Sequence, residues 1–196
     1  DELSPAQMAN MEDVLDINGW DLQKALRLLY KSNPTLFEWA ASPIVYMETE
    51  FAGQFRNVMN TYFSTKKSLY HYISMAEGNY REFLRGANVK AKKYFYVMRP
   101  VLTCRWILEK GTPPPMRFTE LMAAELPGTL HSEMEHLLEL KMNAPEIKEI
   151  PRIDVLNEYL DTSITEIKNL LLDMDDTKKM EWEILNQMFL KFISVN

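Results

Sequence analysis

Val89-Lys90-Ala91-Lys92-Lys93-Tyr94-Phe95-Tyr96-Val97-Met98-Arg99-Pro100-Val101-Leu102-Thr103-Cys104-Arg105-Trp106-Ile107-Leu108 is the stretch on which the fold turns. Wound at about 100° per residue, its apolar side chains cover almost the whole circumference and leave one narrow polar stripe of Lys92, Tyr96, Arg99 and Thr103. A helix that is apolar nearly all round must be surrounded by other elements, so the segment predicts the central helix of a mainly α chain. Pro100 lies within it and is expected to kink it and to leave the carbonyl of Tyr96 without its usual donor.

The flanking segments supply the surroundings. Leu69, Ile73, Ala76, Tyr80 and Phe83 recur at steps of four and three, which predicts a helix over 65–84 with one core face. His71 falls opposite that face, with Lys67, Ser74 and Gly78. Gly111 to Pro115 breaks the chain, and helices are expected over 118–125, 132–142, 153–173 and 177–192. Nearer the start, Asp21 can cap a helix carrying Leu22, Ala25, Leu26 and Leu29, which Ser32-Asn33-Pro34 should end. A short helix fits 35–41 and stops at Ser42-Pro43, since the residue before proline is driven out of the helical region. Beyond residue 43 nearly everything reads as helix. Val14-Leu15-Asp16-Ile17, before the turn-forming pair Asn18-Gly19, is the best strand candidate.

With 196 residues, 46% of them hydrophobic, the chain can bury a core without staples. A net charge of -6 argues against coating nucleic acid by bulk electrostatics, although a local basic stripe can still hold phosphates. Cys104 is the single cysteine, so an internal disulfide and a cysteine-clustered zinc site are excluded, and a small buried hydrophobe is the expectation. No apolar run approaches the roughly 18 to 20 residues a bilayer requires, and the first residues are acidic. No membrane partner is expected, and the cytoplasm is the expected location.

Two features carry candidate chemistry. Two cations and two hydroxyls converging on one side of a buried helix suit a phosphate-bearing ligand, with Lys93 adjacent, unless the stripe is simply the solvated face. His71 with Lys67 and Ser74 forms a fainter cluster of the same kind. Asp16, alone on one face of its strand, could hold a divalent metal, or could merely serve the following turn. Asp173-Met174-Asp175 imitates a metal-binding carboxylate pair but sits between helices, where a helix stop and a cap are the simpler reading. No Walker-type phosphate loop, nucleophile elbow, dinucleotide fingerprint or paired-histidine zinc motif occurs.

Leu15-Asp16-Ile17-Asn18-Gly19-Trp20-Asp21-Leu22, Lys24-Ala25-Leu26, Ser32-Asn33-Pro34, Phe37-Glu38-Trp39 and Ser42-Pro43-Ile44-Val45-Tyr46 follow one another in an order that resembles a known family. Tyr70-His71-Tyr72, Lys92-Lys93-Tyr94-Phe95-Tyr96, Arg99-Pro100, Cys104-Arg105-Trp106, Pro114-Pro115, Lys141 and Glu146 continue the likeness over about three quarters of the chain. The family is the YcgL-like, RNA-repair-pathway-associated group of nucleotidyltransferases in the DNA polymerase beta superfamily. The resemblance implies metal-dependent transfer of a nucleotide from a nucleoside triphosphate to a hydroxyl acceptor such as an RNA end. It implies two Mg2+ ions held by three carboxylates, of which Asp16 matches the third, both catalytic and metal-binding.

The Gly-Ser turn and the strand bearing two aspartates that open such enzymes do not occur here. Residues 1–20 are therefore expected to be a remnant of the catalytic sheet, residues 21–196 the helical domain, and the chain a fragment inactive by itself. His71, Lys92, Lys93 and Arg99 are the residues expected to bind the nucleotide. An unpaired sheet edge would favour a homodimer. The competing expectation is a non-catalytic helical module that recognises nucleic acid or a protein partner. A helical ribonuclease would need an Arg and a His about one turn apart on one helix, and no Arg is followed by such a His.

Overall fold

Asp21 begins the described helical architecture: its carboxylate accepts from the amide of Lys24 at 2.8 Å and starts α1, Leu22–Tyr30. The computed structural model describes residues 19–143, 149–175 and 180–194. The expected strand at 14–17, with Asp16, lies outside the described residues, as do Glu146 and Thr177. Among the described residues there are nine α-helices, one short 3-10 turn and one pair of strands, a mainly α fold. α1 is followed by α2, Pro34–Ala40, α3, Glu50–Tyr62, α4, Thr65–Phe83, strand β1, Asn88–Lys90, and α5, Ala91–Lys110. Then come α6, Phe118–Glu125, α7, His131–Asn143, strand β2, Glu149–Pro151, α8, Asp154–Leu172, and α9, Trp182–Ile193.

α5 is the central helix, as its apolar circumference requires: Tyr94, Val97, Met98, Val101, Leu102, Cys104 and Ile107 are all fully buried. α4 lies antiparallel to it, since Lys93 meets Phe83 near one end while the Cys104 thiol approaches the carbonyl of Leu69 near the other. The helix passes through Pro100 without interruption and ends at Gly111, whose φ of 65° is left-handed and free of a Cβ penalty. α8 closes the group through a buried polar knot. Tyr94 donates to Asn157 Oδ1 at 2.7 Å, Asn157 Nδ2 donates to the carbonyl of Leu84 at 2.7 Å, and the amide of Ile153 donates to the Tyr94 hydroxyl at 2.8 Å.

Three expectations need correction. Val89 is not helical: β1 pairs antiparallel with β2, Val89 opposite Ile150, and the helix starts only at Ala91. Val89 is buried in the core while its neighbours Asn88 and Lys90 are exposed, so an extended backbone serves the site better than a first helical turn would. The last helix begins at Trp182, with Met180 and Glu181 outside it, because the backbone of Glu181 is extended and its carbonyl receives the Tyr62 hydroxyl at 2.6 Å. Thr103 does not lie on an open stripe, as the site geometry below makes clear.

α1 and α2 stand against the start of α4. Ser32 adopts a left-handed φ of 55°, uncommon for a residue with a side chain, and its buried hydroxyl accepts from the amide of Ser64 at 2.7 Å. That contact fixes the turn which Asn33 and Pro34 then convert into α2, Asn33 as cap and Pro34 at the first position. Two residues before Ser32, Tyr30 stacks on Trp182 of α9, with ring centroids 4.1 Å apart. Among the described residues no helix is long and apolar enough to cross a membrane.

Candidate functional site

Arg99 reaches the surface on the side of α5 that faces α2 and the first half of α4. There Tyr72 of α4 donates its hydroxyl to Glu38 of α2 at 2.7 Å. Burial pushes the Tyr72 phenol far above its ordinary value, Glu38 adds to the rise, and the nearby Arg99 guanidinium opposes it. Three charged or ionisable groups from three helices therefore share one corner. His71, the next residue on α4, is exposed, and its ring meets Tyr72 edge-on with centroids 5.2 Å apart.

Lys92 and Tyr96 continue the stripe as expected, both exposed, Tyr96 by 48%. Thr103 does not: it is 0% exposed, and its hydroxyl finds no hydrogen-bond partner among the described residues. A helical wheel cannot anticipate this, because it does not show what lies against each turn: from Val101 to Cys104 every residue of α5 is buried, while Lys92, Tyr96 and Arg99 in the first half keep some exposure. The stripe is thus Lys92, Tyr96 and Arg99. Lys93 is partly buried with its ammonium over the Phe83 ring, 3.3 Å from the centroid, and 4.6 Å from that of Tyr96, which fixes the side chain between two aromatic rings.

Many cations elsewhere have carboxylate partners: Arg56 pairs with Glu48, Arg105 with Glu166, Arg152 with Asp154 and Lys168 with Glu77. Among the described residues neither Lys92 nor Arg99 makes an ion pair, and neither they nor His71 make a side-chain hydrogen bond. Arg105, on the far side of α5, also donates to Ser163 at 2.8 Å and is a structural tie to α8. Asp173 ends α8, the helix stop the sequence suggested, but Asp175 caps no described helix, because the last one begins only at Trp182, after Glu181.

Sequence reasoning missed a feature beside this corner. Trp20 and Trp39 stack nearly parallel, centroids 4.2 Å apart and planes 8° from coplanar, with the Lys24 ammonium over Trp20 at 5.7 Å. The available signal was two tryptophans framing the α1–α2 unit, the second directly after Glu38. Among the described residues no group of three or more His, Cys, Asp or Glu is placed to hold a metal ion. Asp16 lies outside the described residues.

The chain belongs to the RlaP family, the RNA repair pathway DNA polymerase beta family, whose model matches residues 4–191. It is similar to the uncharacterized protein YcgL of Bacillus subtilis (strain 168), 44% identical over 187 residues that cover 93% of this chain and 71% of the relative. No solved structure matches it.

Proposed function

We propose that the chain serves a nucleotidyltransferase that moves a nucleotide from a nucleoside triphosphate to a hydroxyl acceptor, an RNA end being the acceptor that the family's description favours. The observation that carries this reading is the corner itself: Arg99 and Lys92 have no ion pair among the described residues, while Tyr72 and Glu38 hold the wall beside Arg99. Cations left without carboxylate partners at a rigid corner are preorganised for an anion, and a triphosphate supplies several charges along one line. Arg99 would bind phosphate oxygens through two parallel donors, Lys92 would add a point charge, and His71 would donate to the same group.

Magnesium enters the proposal through Asp16, where such an ion would neutralise phosphate charge. The chain's own described residues bind and orient the triphosphate. The deciding experiment gives the full-length protein a labelled nucleoside triphosphate, magnesium and single-stranded RNA. Transfer that disappears in Asp16→Ala and falls steeply in Arg99→Ala supports the reading, whereas transfer indifferent to both overturns it.

A second reading rests on a different observation. Ile44, Val45, Tyr46 and Met47 form a consecutive exposed apolar run, Tyr46 being 98% exposed, which favours a protein contact surface. A binding module without chemistry would use that run and leave Arg99 and Lys92 replaceable.

A further inference from the structure

We infer that the outer face of Trp39 is a stacking platform for a nucleobase; the inference rests on the nucleotidyltransferase reading above and adds a residue to its site. Trp20 covers one face of Trp39 at 4.2 Å, and with that face covered Trp39 is still 43% exposed. The Lys24 ammonium also meets the Trp20 ring, 5.7 Å from its centroid. Trp20 thus backs Trp39, which keeps its remaining surface open to solvent. A planar apolar face backed in this way is complementary to a planar aromatic ligand.

The platform is fixed relative to the cations. Trp39 follows Glu38, and the 2.7 Å bond from Tyr72 to Glu38 ties α2 to α4 next to Arg99. α2 is only seven residues long, so this bond and the Asn33 cap leave Trp39 little freedom to turn away. An exposed indole on the same short helix as Glu38, whose partner Tyr72 feels the Arg99 charge, suits an aromatic group that carries phosphates. Of the other tryptophans, Trp106 donates its indole N–H to Thr112 at 3.3 Å, while Trp182 stacks on Tyr30 and is likewise 45% exposed. No hydrogen bond holds the Trp39 indole among the described residues. The base could belong to the incoming nucleoside triphosphate or to the terminal nucleotide of a single-stranded RNA acceptor, and stacking is available to either because every base has a π face.

The test uses the full-length protein in magnesium buffer and compares Trp39→Ala, Trp39→Leu and Trp39→Phe. Equilibrium binding is measured with a nucleoside triphosphate, inorganic tripolyphosphate, a short single-stranded oligoribonucleotide and the same oligonucleotide ending in an abasic sugar. The expected result is a loss of about ten-fold or more in Trp39→Ala for ligands that present a base. Tripolyphosphate and the abasic end should bind unchanged, and Trp39→Phe should keep most of the affinity. Loss confined to the triphosphate assigns the base to the incoming nucleotide, and loss confined to the base-ended oligonucleotide assigns it to the acceptor. Should Trp39→Ala unfold, Trp39→Leu keeps an apolar side chain against Trp20 without a π face and carries the test. Unchanged affinity in every case, or equal losses for triphosphate and tripolyphosphate, overturns the inference and leaves the face to a protein contact. A wild-type protein that binds none of the four probes instead overturns the transferase reading, and the inference with it.

Discussion

The Tyr72 hydroxyl and the Glu38 carboxylate meet at 2.7 Å across the seam between α4 and α2, and Arg99 of α5 stands close enough to act on the Tyr72 phenol. The bond is charge-assisted and shielded, since Tyr72 is buried and Glu38 half-buried. Tyr72→Phe removes the donor and leaves the carboxylate to find another. The expected loss is about 1 to 2 kcal/mol in chemical denaturation. Glu38→Gln, which keeps an acceptor oxygen, should lose less, and equal losses in the two variants would show that the bond contributes nothing specific.

Arg99 and Lys92 should matter for phosphate and little for folding. A charge-assisted contact to phosphate is worth about 1.5 to 3 kcal/mol, so Arg99→Ala or Lys92→Ala should weaken nucleoside triphosphate binding by roughly ten-fold or more. Lys66→Ala is the control, because its ammonium is bound to the Met174 carbonyl at the opposite end of α4 from the Phe83–Lys93 contact. Titration calorimetry that finds the three variants alike would return the stripe to the role of a solvated face.

Much of this architecture was legible beforehand, and the reasons are local. α5 betrayed itself by an apolar circumference, α1 by Asp21, and α4 by the steps from Leu69 to Phe83, of which Leu69, Ile73 and Ala76 are buried. The failures share one cause: they depend on partners distant in sequence. Val89 is extended because Ile150 pairs with it, Thr103 is enclosed because the core closes over residues 101–104 of α5, and Trp39 meets a ring nineteen positions upstream. Asn157 left a faint mark, a lone amide beside Leu156 and Leu160 on an apolar stripe, whose meaning needed the position of Tyr94.

Asn157 is 6% exposed, and its side chain satisfies both Tyr94 and the Leu84 carbonyl. Asn157→Leu keeps a similar volume but leaves a buried hydroxyl and a buried carbonyl without those partners. A loss of about 2 to 4 kcal/mol is expected in urea or guanidinium unfolding. A variant within about 0.5 kcal/mol of the parent would mean that both orphaned groups reach water or other partners.

Glu77 provides a pH signature. The hydrogen bond from Lys168, 2.8 Å long, holds its carboxyl below the ordinary value against a small opposing effect of burial. A depressed folded-state pKa contributes stability above the unfolded value and loses it as the pH falls through the folded one. Both side chains are partly exposed, so screening limits the contribution to a few tenths of a kcal/mol near neutral pH. Glu77→Gln should therefore be slightly less stable than the parent at pH 7, and the difference should close as the pH is lowered below about 4. A difference that widens on acidification would contradict this assignment.

The contact between Tyr94 and Asn157 joins residues 63 positions apart. Bringing such distant segments together requires chain entropy to be surrendered before the bond returns anything, whereas α4 and α5 meet across a short connection and can pair early. The knot at α8 is then a late event on the folding route, and it acts as a latch on the finished structure: Asn157→Leu should hasten unfolding far more than it slows refolding, so the residue sets how long the native state persists.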